Sequence, residues 1–472
     1  MNEILGKTLS ELVAAVSGRE VSAVEVMSAV LDRIEATNAD LNAVVAMHDR
    51  ERLLADARAA DERVARGEAR ALEGVPLGVK DLEDTEGLIT SHGSLPFKDN
   101  LATQDTVQVA RLKAAGAIVV GKTNAPEFGA TAITKNLVYG STHNPWNLAH
   151  TPGGSSGGSA AALAAGVLPL VTSSDGGGSI RIPASFVGAF GLKTSYGRIP
   201  NAPSARWDYG DTAVSGPTTK TVADAALFLD QVAGPSALDP NSLPHPGISY
   251  QESLRAGLPS GLRIGYSADL GYAVVQSDIG EAVYDAVRAF EKLGHSVEDV
   301  TGGPPPMGSE WGAFGAFEMA ARLRDLLPER REEFGRSLIR GVLEADSFTA
   351  EDFGRMQEGR EALNRWCADV FDRYDLLVTP TIPYDPPPAR GPFPTETEGR
   401  KQLAWGVASF TIPFNLSWHP AGTVRVGLSR AGLPMGMQIV APRHRDDLVL
   451  QAAHAFERER PWHPEWPTAA WE

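Results

Sequence analysis

The sequence predicts an α/β protein built around a mostly parallel β-sheet. Short apolar segments with the two-residue alternation of strands recur along the chain, and segments with helical spacing lie between them. Strands that alternate with helices favour a parallel sheet whose helices pack on its faces. Apolar residues make up 43% of the chain, which is enough for a large buried core.

The N-terminal segment predicts two helices over residues 8–38. Thr8 and Glu11 have the spacing of a capping box, in which each side chain binds a backbone N–H at the start of a helix. Ser22 and Glu25 repeat that spacing further along the segment. Two helix starts are therefore expected within it.

The next elements alternate between helix and strand. The period changes to two-residue alternation in GVPLGVKDL (74–82), which places Lys80 at the end of a predicted strand. The run AIVVGKTN (117–124) predicts a short buried strand as well. Helices are expected over 49–67 and 105–115, before each of these strands.

The middle of the chain continues the alternation up to a glycine-rich break. Small residues predict a helix at 159–166, and VLPLVTSS (167–174) predicts a strand that DGGGS (175–179) ends. The Pro/Ser/Gly-rich stretch 234–260 is typical of a connection. The remaining predicted elements are strands at 261–267 and 295–300 around a helix at 278–293, a mainly helical segment at 309–375, and strands at 375–381, 424–429 and 435–441.

Charge and composition exclude several classes of function. A net charge of −16 repels nucleic-acid phosphates, and no apolar run reaches the roughly 18 residues that span a bilayer. The N-terminus lacks a basic region followed by an unbroken apolar one, so no signal peptide is expected. Cys367 is the single cysteine, which prevents an internal disulfide. These features predict a cytoplasmic enzyme, and its 472 residues alone suggest two or three domains.

One segment matches a nucleotide-binding pattern without meeting its physical requirements. GAIVVGKT (116–123) fits the P-loop spacing G-x-x-x-x-G-K-S/T. A P-loop needs flexible residues whose backbone N–H groups wrap phosphates, whereas the interior here forms a strand, and Pro126 follows where a helix should begin. Nucleotide binding at Lys122 is therefore the weaker interpretation, and an ATP-binding assay discriminates it.

Three glycine-flanked serines, Ser155, Ser156 and Ser179, lie close together in the sequence and need an explanation. GGSSGG (153–158) fits the nucleophile-elbow pattern G-x-S-x-G in two registers. An elbow needs a strand directly before it, but residues 143–152 are polar and interrupted by prolines. A loop that tolerates small residues explains this motif better than an elbow does.

Residues 151–200 closely resemble the signature block of the amidase signature family. GVPLGVKDL (74–82), GKTNAPEFG (121–129) and STHNPWN (141–147) match the flanking motifs of that family in order and spacing. GLPMGMQIV (432–440) resembles its C-terminal strand. Several long and independent motifs coincide, so the resemblance covers most of the chain.

The resemblance implies one α/β/α domain over residues 1–472, with a large, mixed and twisted sheet. Its catalytic core would span 61–220 and contain the signature block. Independently of the resemblance, a helical excursion around 305–375 is a candidate lid. A single large domain therefore replaces the several domains that the length alone suggests.

The resemblance places three residues in a catalytic triad. Ser179 takes the position of the acylated nucleophile, Ser155 that of the bridging serine after a cis peptide bond, and Lys80 that of the buried base. The chemistry of the residues agrees: a serine hydroxyl needs a neighbour to remove its proton, and burial favours the neutral lysine that can do so. A second serine relays the proton because its hydroxyl both donates and accepts. The expected reaction is hydrolysis of an amide through an acyl-enzyme on Ser179. Carbamates and esters are further candidate substrates of the same chemistry.

The glycine triplet before Ser179 corresponds to the oxyanion-hole loop of the family. Gly176, Gly177 and Gly178, with the N–H of Ser179 itself, would direct backbone N–H groups at the developing negative charge. The family usually has Thr or Ile where this chain has Gly176, which predicts a more mobile loop or more room near the acyl group. The resemblance implies neither a metal nor a cofactor. Supporting roles fall to Gly154, Ser156, Asp175 and Arg181, with a solvated salt bridge as the alternative for the last two.

The A subunit of a glutamine-dependent tRNA amidotransferase is the alternative function within the same family. Such subunits act with a partner on a tRNA-bound substrate and usually carry Gln where this chain has Ile182. They also carry a Ser-Leu-Asp-Gln segment, whereas this chain reads SARWDYGDTAVSGP at 204–217. Both departures favour a free-standing hydrolase of a small-molecule amide. We expect such a hydrolase to be a monomer or homodimer.

Several aromatic residues are candidates for the substrate pocket. They would form an apolar cleft for an aryl or long-chain amide, such as an anilide, a carbamate or a synthetic amide oligomer. Ordinary core packing is the alternative, and the sequence does not rank the two. The candidates are Trp207, Tyr209, Trp311, Phe314 and Phe317.

Overall fold

One large sheet of eleven strands forms the centre of the molecule, whose computed structural model describes residues 3–202, 209–462 and 466–467. The strands are β1 Val44–Met47, β2 Pro76–Lys80, β3 Ile118–Thr123, β4 Lys135–Asn136, β5 Gly140–Ser141, β6 Leu170–Asp175, β7 Phe190–Lys193, β8 Val214–Thr219, β9 Arg263–Tyr266, β10 Ser296–Asp299, β11 Leu376–Pro380, β12 Glu396–Thr397, β13 Arg400–Lys401, β14 Ala421–Leu428 and β15 Pro434–Val440. The order across the sheet is β1-β3-β2-β6-β8-β7-β14-β15-β11-β9-β10, and β4–β5 and β12–β13 form separate two-stranded ribbons.

The sheet is mixed, and the prediction of a mostly parallel sheet is wrong. Pairing is parallel along β3–β2–β6 and along β11–β9–β10, towards the two sides of the sheet. It is antiparallel from β6 through β8, β7, β14 and β15 to β11, and β1 joins β3 in the same way. The short connection 429–433 between β14 and β15 has no room for a crossover helix, so those strands must pair as a hairpin.

The described ranges contain seventeen α-helices, some of them a single turn. The capping boxes expected at Thr8 and Ser22 are confirmed at the starts of the second and third helices. The helices are α1 Glu3–Gly6, α2 Leu9–Ser17, α3 Ala23–Leu41, α4 Arg50–Ala65, α5 Val107–Ala114, α6 Gly157–Ala164, α7 Arg181–Val187, α8 Val222–Val232, α9 Tyr250–Ala256, α10 Ser277–Val287, α11 Ala289–Lys292, α12 Gly308–Leu323, α13 Leu327–Arg330, α14 Arg336–Glu344, α15 Ala350–Arg373, α16 Ile412–Leu416 and α17 Asp446–Glu459.

The sheet has a separate apolar core on each face. Along β3, Val119 belongs to one core, while its neighbours Ile118 and Val120 belong to the other, as the two-residue period of a strand requires. The first core also contains residues of α5, α8, α10 and α17, and the second contains residues of α3, α4 and α6. The fold is thus a single α/β/α domain, as the resemblance implied and unlike the several domains suggested by length.

The segment predicted to be helical at 309–375 contains α12 to α15 and forms apolar clusters beside the sheet's own cores. Its movement as a lid over 305–375 stays a prediction. No helix in the described residues is both long enough and apolar enough to cross a membrane.

Candidate active site

Strand pairing brings the candidate base and nucleophile to one edge of the sheet. β2 pairs in parallel with β6, with Leu77 opposite Leu170. Neighbouring parallel strands end at the same edge, so Lys80, the last residue of β2, lies near Asp175, the last residue of β6. The glycine triplet and Ser179 follow β6 directly.

The amine of Lys80 lies at the centre of a group of buried hydroxyls. Its Nζ is 2.8 Å from Ser155 Oγ, 2.8 Å from Ser156 Oγ and 3.0 Å from Ser174 Oγ. The Lys80 side chain has no exposed surface. Burial of an amine disfavours its charged form, and this is the kind of environment in which a lysine can act as a base. Ser174 was not singled out in the sequence, where nothing but its position near the end of β6 distinguishes it.

Ser155 and Ser179 share one pocket, although they come from different loops. The backbone N–H of Ser156 donates to the carbonyl oxygen of Ser179 at 3.2 Å, which joins the two loops. Ser155 is almost buried and follows a cis peptide bond after Gly154, as the resemblance implied. Ser179 is partly exposed, so a substrate can reach its hydroxyl.

The loop after β6 offers two N–H groups to a ligand. Within the described part of the chain, the N–H groups of Gly177 and Ser179 have no hydrogen-bond partner. The N–H of Gly178 differs from the expectation, because it donates to Asp175 Oδ1 at 2.7 Å. Gly178 therefore helps to hold the loop, and the N–H groups of its two neighbours stay available. Gly176 lines the pocket beside them.

Asp175 and Arg181 form a buried pair under this loop, and the alternative of a solvated salt bridge is wrong. Two hydrogen bonds of 2.9 Å join the guanidinium to the carboxylate, and neither side chain is exposed. Asn415 Nδ2 also donates to the carboxylate at 2.9 Å. Burial by itself raises the pKa of a carboxyl, but Arg181 holds the pKa of Asp175 well below its usual range. The charged carboxylate can thus hold the loop at all ordinary pH values.

Part of the pocket lining, beside the loop after β6, is aromatic and apolar. Tyr209 and Trp311 stack there with ring centroids 5.1 Å apart and planes 8° from parallel. Two candidates are placed elsewhere: Phe314 contacts Phe353 and Phe317 contacts Phe348 and Phe353 within the helical segment, so both pack in a core. The candidate Trp207 lies outside the described residues. The pocket is lined by Leu82, His92, Phe128, Gly129, Ser155, Ser174, Gly176, Gly177, Ser179, Tyr209, Ala213 and Trp311.

His92 and Phe128 are pocket residues that the sequence did not single out. Their rings stack with centroids 5.5 Å apart. Burial, with a contribution from the positive charge of Lys122, lowers the pKa of His92 to about 3, so its imidazole is neutral at ordinary pH. Phe128 belongs to the motif GKTNAPEFG (121–129), which was a usable signal, whereas His92 stands in no recognised motif.

Two motif look-alikes are excluded by their backbone. GAIVVGKT (116–123) forms strand β3 instead of a phosphate-binding loop, and buried Lys122 donates to the Glu83 carbonyl and to Thr90 Oγ1. GGSSGG (153–158) follows a non-strand segment, so it is not a nucleophile elbow. Among the described residues, no group of His, Cys, Asp and Glu side chains could hold a metal ion.

Comparisons with known proteins find relatives over most of the chain. The family model described as Amidase matches residues 25–450. An acylamidase from Rhodococcus erythropolis is 40% identical over 464 residues, covering 96% of this chain and 95% of the relative. The A subunit of the glutamyl-tRNA(Gln) amidotransferase from Chromohalobacter salexigens is 34% identical over 486 residues, covering 97% of each chain.

A solved structure shows the same fold over nearly the whole chain. It is that of a bacterial aryl acylamidase belonging to the amidase signature enzymes, with a TM-score of 0.92 and 31% identity. The match covers 98% of this chain and 99% of the other. The chain therefore belongs to the amidase signature family and is a hydrolase that acts on the C–N bonds of amides.

Proposed function

We propose that this enzyme hydrolyses aryl or other apolar amides through an acyl-enzyme on Ser179, with Ser155 and Lys80 as its proton relay. One observation carries the proposal: the fully buried Lys80 amine is 2.8 Å from Ser155 Oγ, and Ser155 shares a pocket with the accessible Ser179. A neutral amine in that position accepts a proton from Ser155, which in turn accepts one from Ser179.

The reaction proceeds in two halves. The Ser179 oxygen attacks the amide carbon, and the N–H groups of Gly177 and Ser179 stabilise the oxyanion of the tetrahedral intermediate. The relay returns the proton to the leaving amine through Ser155, which leaves an ester on Ser179. Water then attacks this ester with the same relay as base, and the acid product leaves.

The pocket wall supports an aryl or apolar acyl or leaving group. Leu82, Phe128, Tyr209 and Trp311 give it large apolar faces, on which a flat ring can stack. The name of one relative, an aryl acylamidase, points to the same class of substrate, and the name of another, an acylamidase, points to an acyl amide. Carbamates and esters can enter the same acyl-enzyme chemistry, so they belong to the proposed range.

We propose that the chain acts alone on a small molecule, as a monomer or homodimer, and not on tRNA-bound substrate. The acylamidase is more similar to it than the amidotransferase subunit is, at 40% against 34% identity. Ile182, where such subunits usually carry Gln, agrees with this choice. Turnover of a small amide by the purified chain, together with the absence of a constitutive partner in a pull-down, tests it.

A hydrolysis panel tests the proposed substrate class. The purified enzyme is assayed on anilides, aliphatic primary amides, carbamates and aryl esters, with Ser179→Ala as the control that shows which turnover belongs to this site. We expect anilides to have a higher kcat/KM than the small primary amides. A preference for small primary amides such as glutamine would contradict the aryl assignment.

A further inference from the structure

Trp311 holds a peptide group of the oxyanion-hole loop in place. The carbonyl oxygen of Gly176 accepts a hydrogen bond from Trp311 Nε1 at 2.7 Å. Thr212 Oγ1 is also 3.0 Å away, but its single proton is shared between this carbonyl and that of Tyr209, which is at the same distance. The Gly176 carbonyl and the N–H of Gly177 belong to the same planar peptide group. The group is not among the cis peptides of the chain, so the carbonyl and the N–H point in opposite directions. Fixing the carbonyl oxygen therefore fixes the direction of the Gly177 N–H.

The next peptide group of the loop is anchored independently. The carbonyl oxygen of Gly177 accepts from Thr411 Oγ1 at 2.7 Å, and the N–H of Gly178 donates to Asp175. These contacts do not hold the Gly176 carbonyl. Trp311 is thus the main anchor of the peptide group that supplies the Gly177 donor.

The Trp311 indole is itself held tightly. It stacks on Tyr209, and it lies so close to Gly177 that a methyl group there would be 2.5 Å from the nearest indole carbon. Trp311 belongs to α12, which lies outside the predicted catalytic core of 61–220. The contact therefore connects the helical segment to the loop that faces the substrate.

We propose that Trp311 is a positioning residue of the oxyanion hole: its indole N–H orients the Gly176–Gly177 peptide, so that the Gly177 N–H is ready for the transition state. Trp311 also lines the pocket. A residue that only lines the pocket would stabilise the bound substrate and the transition state equally. Orientation of the donor matters most when the oxyanion forms, so it acts on kcat more than on KM. This inference rests on the proposed function of the site.

The test removes the N–H and keeps the aromatic ring. Trp311→Phe retains a ring against Tyr209 but has no donor for the Gly176 carbonyl. We expect kcat for an anilide to fall by about tenfold. This loss is smaller than the roughly 100-fold or greater loss that follows removal of an oxyanion donor itself. KM should stay nearly constant. Substitution of residue 311 by benzothienylalanine, in which sulfur replaces the N–H within the same ring outline, should give the same loss without a change in packing.

Two inhibitors separate positioning from lining. The Ser179 oxygen adds to the carbonyl carbon of an aryl trifluoromethyl ketone and forms an oxyanion. The affinity of the enzyme for this inhibitor should fall in parallel with kcat in both variants at residue 311. An aryl alcohol of the same shape forms no oxyanion and should bind unchanged. Equal losses for both inhibitors, or a rise in KM at constant kcat, would overturn the positioning role in favour of lining.

Trp366→Phe is the matched control for the ring change. Trp366 is a half-buried tryptophan of α15, packed between an apolar cluster of the helical segment and one beside the sheet, and it is absent from the pocket lining. We expect its kcat and KM to match those of the wild type. If the wild-type enzyme cleaves no amide in the panel, the proposed function is wrong. If the wild-type enzyme cleaves anilides but both variants at residue 311 keep the wild-type kcat, only the positioning role of Trp311 is wrong.

Discussion

The two sides of the active-site pocket are built in different ways. On one side, Lys80, Ser155 and Ser174 are buried and joined by hydrogen bonds of 2.8 to 3.0 Å. On the other, Tyr209 and Trp311 stack as aromatic rings carried by a loop and by α12. The polar side fixes the positions of reacting groups, whereas the aromatic side offers area and shape. We expect changes on the polar side to abolish turnover, and most changes on the aromatic side to redistribute it among substrates.

The largest effect is expected at Lys80. Lys80→Arg keeps a cation that cannot release its proton, so kcat should fall by about 10⁴-fold, as for the loss of a triad member in other serine hydrolases. Lys80→Met keeps the approximate shape without a base and should fail equally. Steady-state kinetics on an anilide measure both variants. A Lys80→Met protein that melts lower but keeps wild-type turnover would show that the lysine is structural.

Two neighbouring glycines should respond differently to the same methyl group. At Gly177 the methyl would be 2.5 Å from the Trp311 indole, whereas at Gly176 its nearest neighbour, the Tyr209 ring, is 3.5 Å away. Gly177→Ala should therefore lower kcat by about 100-fold, because the loop or the indole must move. Gly176→Ala should keep kcat and raise KM for bulky aryl amides by at most about tenfold. An equal loss of kcat in the two variants would show that the decrease comes from a disturbance of the whole loop and not from the contact with the indole.

Removal of the buried carboxylate should destabilise the protein in a pH-dependent way. Asp175→Asn leaves Arg181 buried without its charge partner, which costs about 3–5 kcal/mol of unfolding free energy near neutral pH. The folded pKa of Asp175 is lowered, so its contribution is present above the unfolded value of about 4 and is lost as the pH falls towards the folded value.

Denaturant unfolding at a series of pH values measures this contribution. The difference between the wild type and Asp175→Asn should be constant from pH 8 to about 5 and shrink below about pH 4. A difference that grows towards acid pH would contradict the assignment of a charged carboxylate.

The smallest effect is expected from the aromatic residues, and it distinguishes pocket from core. Tyr209→Leu should change the ratio of aryl-amide to small-amide turnover by roughly fivefold, because an aromatic contact contributes about 1 kcal/mol beyond its area. Phe317→Leu should lower the melting temperature and leave that ratio unchanged. A panel of two substrates with thermal melts measures both. A changed ratio in Phe317→Leu would place that ring in the substrate's environment.

The polar side could be predicted from the sequence because its residues lie in long local motifs. Lys80, Ser155 and Ser179 stand at fixed positions in such motifs, and strand pairing then brings them together. The role of Ser174 could not be predicted, since its contact with the Lys80 amine depends on how β2 and β6 lie side by side in the sheet. The two antiparallel strands β7 and β8 were missed because their sequences are weak strand signals: FGLK has only four residues, and VSGPTT contains Gly216 and Pro217.

The aromatic side could not be predicted in the same way. Tyr209, Trp311, Phe314 and Phe317 are equivalent as sequence features, yet the first two face the pocket and the last two pack in a core. The difference depends on how α12 is rotated against the sheet and against α15, which is decided by tertiary packing. The Gly178 N–H was likewise assigned to the oxyanion hole because the sequence does not show that Asp175 binds it.

The proposed mechanism requires Ser179 as the nucleophile and Lys80 as its base, and one labelling measurement tests both. An aryl sulfonyl fluoride is reacted with the wild type and with Lys80→Arg, and the rate and position of labelling are determined by mass spectrometry. We predict a single label on Ser179 in the wild type, formed at least about 100-fold more slowly in Lys80→Arg. A label on Ser155 or Ser156, or an equal rate in the two proteins, would contradict this mechanism.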